Sequence, residues 1–482
     1  MSFVSLQFLI FFSIVVGLYF FLPHRFRWAL LLAASYFFYM SWKPVYAVLL
    51  FLSTLVSYAG ALAIARTQNT RRKKMYLWLS ILISLGVLFF YKYLNFFNDT
   101  VTFLASFLHL NWEQPHISLL LPIGISFYIF KSLSYTIDVY RGKKEPETHF
   151  GIYALYVSFF PQLIAGPIER STVLLPQFRE RFSFEYERVV SGLQLMVWGF
   201  FKKVVVADGL ALFVDRAYAD VNALYGPAIV FVSVLFALQL YADFSGYSDI
   251  AVGSARVMGF RLMKNFDHPY SAQSVQEFWQ RWHISLTTWF RDYVYTPLAF
   301  SWRHLGRKGL MFAIVLTFLL TGMWHGAGMT FVLFGLLHGC AVLFDVLIKK
   351  KKELLARRMP RVPFATMNRA WVFIFWSFSL IFFRAKDMRD AWRLVTHLAT
   401  APPSGIVSGI RSVWVNMEYE FFVVLAALLI MACARVIEKQ EDAIDALRKK
   451  PASLRWFASV LVVLCILLFG TYGATEFIYV QF

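Results

Sequence analysis

Apolar residues in this chain gather into long runs that recur from one end to the other, with short polar loops between them. The first run, Val4 to Leu22, is about long enough to cross a hydrocarbon core of about 30 Å. Others lie at roughly Trp28 to Trp42, Val45 to Ala65, Met75 to Phe97, Ile117 to Tyr140, Ile152 to Ile164 and Val189 to Val206. The series continues at Pro227 to Gly246, Leu310 to Trp324, Met329 to Ile348, Trp371 to Phe383, Phe421 to Ala434 and Trp456 to Gly470. The pattern predicts an all-α, polytopic membrane protein of about 11–13 transmembrane or re-entrant helices. Runs shorter than roughly 20 residues are expected to be re-entrant or tilted, under cover of protein or water. No basic region precedes the first run and no small-residue cleavage site follows it, so it is expected to stay as a helix. Neither a fixed-period repeat nor an inverted symmetry is visible, which counts against a secondary transporter.

Composition agrees with the runs. Of 482 residues, 59% are hydrophobic, 19% aromatic and only 16% charged, against about half apolar and about a quarter charged in soluble domains. A soluble fold and a disordered chain are both excluded. Lys and Arg number 47 against 28 Asp and Glu, a net charge of +19. In a soluble chain that excess would point to nucleic acid, but here it sits in short loops between apolar runs, where it sets orientation. The loops at His24 to Arg27, Arg71 to Lys74 and from Arg141 are basic, and those between them carry little or no positive charge. With the basic loops in the cytoplasm, the N-terminus lies outside. Lys349 to Arg358 adds another cytoplasmic loop, read as an orientation signal beside anionic lipid, with binding of donor phosphates as the alternative. The three cysteines, Cys340, Cys433 and Cys465, lie far apart in apolar runs, so neither a disulfide framework nor a metal site is expected.

One stretch breaks the apolar pattern. From Ser271 to Tyr295 the sequence predicts an amphipathic helix, with Phe278, Trp282, Leu286, Trp289 and Tyr293 on one stripe and Glu277, Arg281, Ser285, Thr288 and Asp292 opposite. His283 falls on the flank of the apolar stripe. Such a helix lies in an interface or lines a polar cavity.

The chemistry is narrowed by what is missing. The chain has no phosphate-binding glycine loop, no dinucleotide fingerprint, no HExxH and no GxSxG elbow. Ionisable groups at membrane depth cost about 2.5 to 3.5 kcal/mol on insertion scales, so each needs a partner or a purpose. His325, in TGMWHGAGM, and His338, in LLHG, share one apolar hairpin, and each is either a hydrogen-bonded packing residue or a general base. Counting about 1.5 Å per residue back from Lys349 places His338 near mid-membrane and His325 towards the outer end, unless the glycines break the helix. His283 is the natural partner for either. Asp243, Ser245, Tyr247 and Asp249 form a polar cluster, read as helix capping or a bend at Gly246 rather than shared acid-base work. Pro161, Gly166 and Pro167 predict a broken helix with Glu169 and Arg170 at its exit.

The stretches FFPQLIAGPIER, DFSGYSDIAVG, HPYSAQSVQEFWQRWHISLTTWFRDYVYTPL and GMWHGAGMTFVLFGLLHG resemble, in order and spacing, the signature segments of the membrane-bound O-acyltransferase (MBOAT) family. More narrowly, they and the opening MSFVSLQFLIFF are similar to its bacterial alginate O-acetyltransferase branch. The resemblance implies that His325 matches the catalytic histidine and His283 the second family position, which overrides the depth argument for His338. It also implies a helix break near Gly326, or a funnel that brings substrate to His325. Substrate contacts are expected from Trp324, Trp282, Arg281, Asp292, Asp243 and Ser245. The implied organisation is a single MBOAT-like domain over 1–482, with N-terminal helices over 1–116, a catalytic core with a funnel or tunnel over 117–348, and C-terminal helices over 349–482. It further implies acetyl-CoA as cytoplasmic donor with no permanently bound cofactor, a polysaccharide acceptor, a periplasmic acetyltransferase partner, and residence among the lipids of the bacterial inner membrane. D-alanyl transfer to teichoic acid, O-acetylation of peptidoglycan, and transport without chemistry remain the rival readings.

Overall fold

The computed structural model describes residues 1–110, 121–164, 166–400, 411, 413, 415, 417–437, 447, 449–473 and 477–478. The start of the run expected at Ile117, and the boundary expected between 116 and 117, lie outside the described residues. Among the described residues all regular structure is helical. In chain order the helices are α1 (Leu6–Phe21), α2 (His24–Met40), α3 (Val45–Arg66), α4 (Thr70–Leu88), α5 (Leu94–Phe107), α6 (Ile125–Tyr140) and α7 (Phe150–Ser158). They continue with α8 (Phe160–Leu163), α9 (Ser171–Gln177), α10 (Tyr186–Phe200), α11 (Asp208–Ala219), α12 (Pro227–Met258), α13 (Val275–Arg281) and α14 (Ile284–Phe290). The last seven are α15 (Thr296–Ser301), α16 (Gly306–His325), α17 (Met329–Arg358), α18 (Arg361–Arg384), α19 (Met388–Ala399), α20 (Glu418–Ile437) and α21 (Ala452–Phe469). Among the described residues seven segments are long and apolar enough to cross a membrane: Val45–Arg66, Thr70–Phe107, Pro227–Met258, Arg303–His325, Met329–Arg358, Arg361–Arg384 and Ala452–Phe469. Of the other predicted runs, those at α1, α2, α6 and α7 form shorter helices and Phe421 to Ala434 lies within the 20-residue α20. As expected from its prolines, the chain is broken after α7: α8 is a single turn and the backbone from 166 to 170 is not helical.

The fold packs as two compact units, residues 1–193 with 251–263, and residues 194–250 with 264–482. In the first unit α6 is buried all round, with Lys131 among its covered residues. That is the pattern of a core helix, not a lipid-facing one. Lys131 Nζ donates to the Val157 carbonyl at 3.3 Å and lies 4.8 Å from the centre of the Tyr156 ring. Beside it, the buried Glu169 carboxylate accepts the backbone N–H of Met263 at 2.7 Å. Burial raises the Glu169 carboxyl above the usual carboxylate range, and its backbone hydrogen bonds and Lys131 oppose that rise.

In the second unit a π-helical segment, Phe201–Ala207, joins α10 to α11 and turns two adjacent lysines inward. Lys203 Nζ reaches Asp243 at 2.6 Å and Asp208 at 2.8 Å, and Lys202 Nζ reaches Asp249 at 2.5 Å. This corrects the reading of Gly246 as a cap or bend, because α12 runs unbroken from Pro227 to Met258. Gly246 is small for another reason: a Cβ there would stand 2.8 Å from the Gly199 carbonyl and 3.1 Å from the Lys203 nitrogen. The glycine lets the helices approach closely enough for the lysines to meet the two carboxylates. Asp243 also accepts the backbone N–H of Ile478 at 3.0 Å, and the N–H of Thr471 satisfies the Val204 carbonyl at 2.8 Å. The tail is thereby tied onto the same face.

Candidate active site

The site is assembled within the second unit from two interruptions of helix. The first lies at the α16–α17 hairpin. α16 ends on His325, Gly326 and Gly328 are extended at φ −161° and −166°, and α17 opens at Met329. The break expected near Gly326 is therefore present. A Cβ on Gly326 would fall 2.1 Å from the Phe331 ring, so glycine is needed where that ring folds back over the turn. The hairpin is tight because Gly322 and Gly335 bring the helix backbones together; a Cβ on Gly322 would meet Gly335 Cα at 2.8 Å.

The second interruption corrects the sequence reading of 271–295. One amphipathic helix was expected, but the chain forms α13, stops, and restarts as α14, then passes through a π-helical turn, Arg291–Tyr295, into α15. Trp282 is extended and His283 sits at φ 45°, ψ 53°, in the left-handed region, which costs a non-glycine residue about 1–2 kcal/mol. Backbone hydrogen bonds outweigh the cost: Asp267 N–H donates to Arg281 O and Ile284 N–H to Asn265 O, both at 2.9 Å. At its other end, α13 is held by the Asp345 carboxylate of α17, which accepts the N–H groups of Val275 at 2.6 Å and Gln276 at 3.2 Å. Helical periodicity is blind to such long-range clamps.

These interruptions bring His283, Trp324 and His325 together. The Trp324 ring centre is 5.7 Å from that of His283 and 5.0 Å from that of His325. His283 also meets Phe244 edge-on at 4.5 Å, and His325 meets Phe383 at 5.5 Å and Phe334 at 6.1 Å. Both imidazoles are covered, His283 fully and His325 to 3% exposure. Burial pushes the His283 imidazole well below its ordinary range and the nearby His325 lowers it further. His283 is thus neutral at working pH, the form a proton acceptor requires.

Asn265 was not singled out by sequence reasoning, although it organises the His283 turn. Its Oδ1 accepts from Ser285 N–H at 3.2 Å, Ser285 Oγ at 2.9 Å and His283 Nδ1 at 3.2 Å. Its Nδ2 donates to Ser248 Oγ at 3.2 Å. The signal available was its residue type alone, a short side chain with one donor and one acceptor end, of the kind that hydrogen-bonds to nearby backbone.

The other expected site residues make contacts of their own. Trp282 is buried in an aromatic cluster, 4.8 Å from Trp376 and 5.5 Å from Phe278. Arg281 is committed to Glu277 at 3.0 Å and to Asp267, and Asp292 to Arg291 at 2.9 Å. Asp243 is engaged by Lys203, and Ser245 lies buried on α12. His338 is a packing residue. Trp279 Nε1–H donates to its Nδ1 at 3.1 Å, which leaves the proton on Nε2 to be donated to Ser379 Oγ at 3.0 Å. Among the described residues no group of three or more His, Cys, Asp or Glu side chains is arranged to hold a metal ion.

Comparison with known proteins gives the same direction. Residues 147–385 match the family described as MBOAT, membrane-bound O-acyltransferase family. A protein of Azotobacter vinelandii named "Probable alginate O-acetylase AlgI" is 39% identical over 396 residues, covering 80% of this chain and 75% of the relative. The peptidoglycan O-acetyltransferase of Helicobacter pylori is 33% identical, with coverage of 76% and 72%. The teichoic acid D-alanyltransferase of Bacillus subtilis is 29% identical over 45% of this chain and 58% of its own length. With its polytopic helices and its paired histidines in the blocks that carry the resemblance, the chain belongs to the membrane-bound O-acyltransferase family and is an integral-membrane acyltransferase.

Proposed function

We propose that the protein takes an acetyl group from cytoplasmic acetyl-CoA and passes it through the inner membrane toward a hydroxyl of an extracytoplasmic polysaccharide, with His325 as general base and His283 assisting. The observation that carries this reading is the convergence of His283 and His325 on Trp324, at two helix breaks that other contacts enforce. His325 removes the proton of the accepting hydroxyl, carried by the periplasmic partner that completes the transfer to polymer, as its oxygen adds to the thioester carbonyl. The new C–O bond forms, the C–S bond breaks, and the proton passes from imidazolium to the departing thiolate. Positioned base catalysis of this kind contributes roughly 10² to 10⁴ in rate.

An alginate-like acceptor is favoured because the proteins named alginate O-acetylase are more similar to this chain, at 38–42% identity, than those named for peptidoglycan at 33% or teichoic acid at 26–29%. Without a serine-nucleophile motif in the sequence, the last transfer to polymer is assigned to a periplasmic acetyltransferase partner. The charge pattern of the loops supports an N-terminus outside and basic loops in the cytoplasm.

The test is transfer of radiolabel from acetyl-CoA in membrane vesicles that contain the protein. The His325→Ala variant should lose transfer by at least about 10² while keeping wild-type abundance and melting behaviour. Undiminished transfer in that variant would overturn the assignment of His325. Label from a charged carrier protein in place of acetyl-CoA would shift the reading to D-alanyl transfer.

A further inference from the structure

We infer that Asn265 is the positioning residue of the site: by accepting from His283 Nδ1 it fixes the neutral imidazole that assists His325 as the Nδ1–H tautomer, with its lone pair on Nε2. The inference deepens the proposed function, since it rests on His283 taking part in transfer.

The argument starts from which end of the amide is which. Ser285 donates a backbone N–H, which can only donate, to the Asn265 atom 3.2 Å away, so that atom is the carbonyl oxygen. The same oxygen stands 3.2 Å from His283 Nδ1. A carbonyl oxygen only accepts, so Nδ1 bears the hydrogen, and a neutral ring then has its lone pair on Nε2. The amide end is anchored in turn by Ser248 Oγ of α12. Asn265 also accepts Ile284 N–H on its backbone carbonyl. One residue therefore holds both the left-handed turn and the tautomer of the ring placed on it. The same second-layer logic sets histidine tautomers in other catalytic sites. The groups described against His283 are Phe244 from α12, Trp324 and His325 from α16, and Asn265 and Ser285 beside it; among these the ionisable side chain is His325.

A structural role and a tautomer-setting role part company in Asn265→Asp. The carboxylate has the same shape and can keep every bond that Oδ1 accepts, while the Ser248 hydroxyl can rotate to donate, so the turn is preserved. A negative charge beside Nδ1–H, however, favours imidazolium, and an adjacent opposite charge moves a titration by about 1–3 units. Two readouts on the full-length protein in nanodiscs separate the outcomes. The first is nitrogen NMR of histidine-labelled protein, with His283→Gln used to assign the signal. It should show the Nδ1–H tautomer in the wild type and protonation at higher pH in Asn265→Asp. The second is the pH profile of label transfer from acetyl-CoA, whose acidic limb should move to higher pH in Asn265→Asp by the same interval. Asn265→Leu, which removes the acceptor, should lose the tautomer preference and most of the transfer. An Nε2–H tautomer in the wild type, or an unshifted His283 titration in Asn265→Asp, would overturn the inference. If the NMR result is as expected and wild-type protein transfers nothing from acetyl-CoA, the donor assignment falls while the role of Asn265 stands.

Discussion

Lys203→Met tests whether the buried ion cluster holds the second unit together. The Lys203 side chain is 1% exposed and its partners Asp243 and Asp208 are 1% and 4% exposed, at 2.6 and 2.8 Å. Removing the lysine leaves two carboxylates beside each other in a site that water does not reach. Deleting one partner of a buried pair costs about 3–5 kcal/mol because the other charge stays behind unpaired. At about 1.4 kcal/mol per factor of ten, that lowers the ratio of folded to unfolded protein by about 10² to more than 10³. The pair Lys202–Asp249 is the internal control. Its carboxylate is 26% exposed, so solvent takes over part of the lost interaction and Lys202→Met should cost about 1 kcal/mol. The third arm is the triple variant Lys203→Met, Asp208→Asn, Asp243→Asn. It removes the charges together and keeps an acceptor for Ile478 N–H, and neutralising a whole buried cluster is often neutral or stabilising. Unfolding of the purified protein in detergent, followed by tryptophan fluorescence, should rank wild type and the triple variant together, then Lys202→Met, with Lys203→Met far below. A Lys203→Met protein as stable as wild type, or a triple variant less stable than the single, would refute the reasoning.

Three further outcomes follow from other parts of the structure. His338→Gln should cost about 1–3 kcal/mol of stability through its broken contacts with Trp279 and Ser379, with acetyl transfer per folded molecule kept; a loss equal to that of His325→Ala would make His338 part of the chemistry. Gly322→Ala places a Cβ 2.3 Å from the Phe331 carbonyl and 2.8 Å from Gly335 Cα, backbone that cannot turn aside. It should lower the melting temperature by an amount equivalent to about 1–3 kcal/mol, whereas Gly328→Ala, whose nearest neighbour is 3.6 Å away, should be close to neutral. Stability should also fall as pH drops below about 6.5, where the unfolded imidazole of residue 283 takes a proton that the buried one refuses. This contribution is complete above that pH and is lost progressively below it. Thermal melts from pH 7.5 down to 5 should therefore slope less in His283→Asn, and equal slopes would count against a neutral buried ring.

Much of the fold could be read in the sequence because a membrane leaves few alternatives. A run such as Val45 to Ala65 is too long and too apolar to be anything but a helix, and it appears as Val45–Arg66. The break beside His325 was expected from the glycines after it and from the family resemblance, and the helix does end there, whereas depth counting along the hairpin had pointed to His338. Interactions between segments distant in sequence were not legible. Asp243 and Asp249, six residues apart, gave no reason to expect two consecutive lysines some forty residues upstream, because only a π-helical turn at 201–207 makes neighbours of Lys202 and Lys203 face them.

The break at His283 shows the limit most clearly. Every local preference from Ser271 to Tyr295 supports one helix, and the apolar stripe through Phe278, Trp282, Leu286 and Trp289 is indeed buried. What overrules periodicity is a set of bonds from residues 265–267 and from Asp345, none of which belongs to the stripe. The left-handed turn places His283 Nδ1 3.2 Å from Asn265 Oδ1 and the ring centre 5.7 Å from that of Trp324. Conformational strain at a single residue, held by distant partners, is thus what sets His283 apart from His338, whose helix is regular and whose two nitrogens are bonded to Trp279 and Ser379.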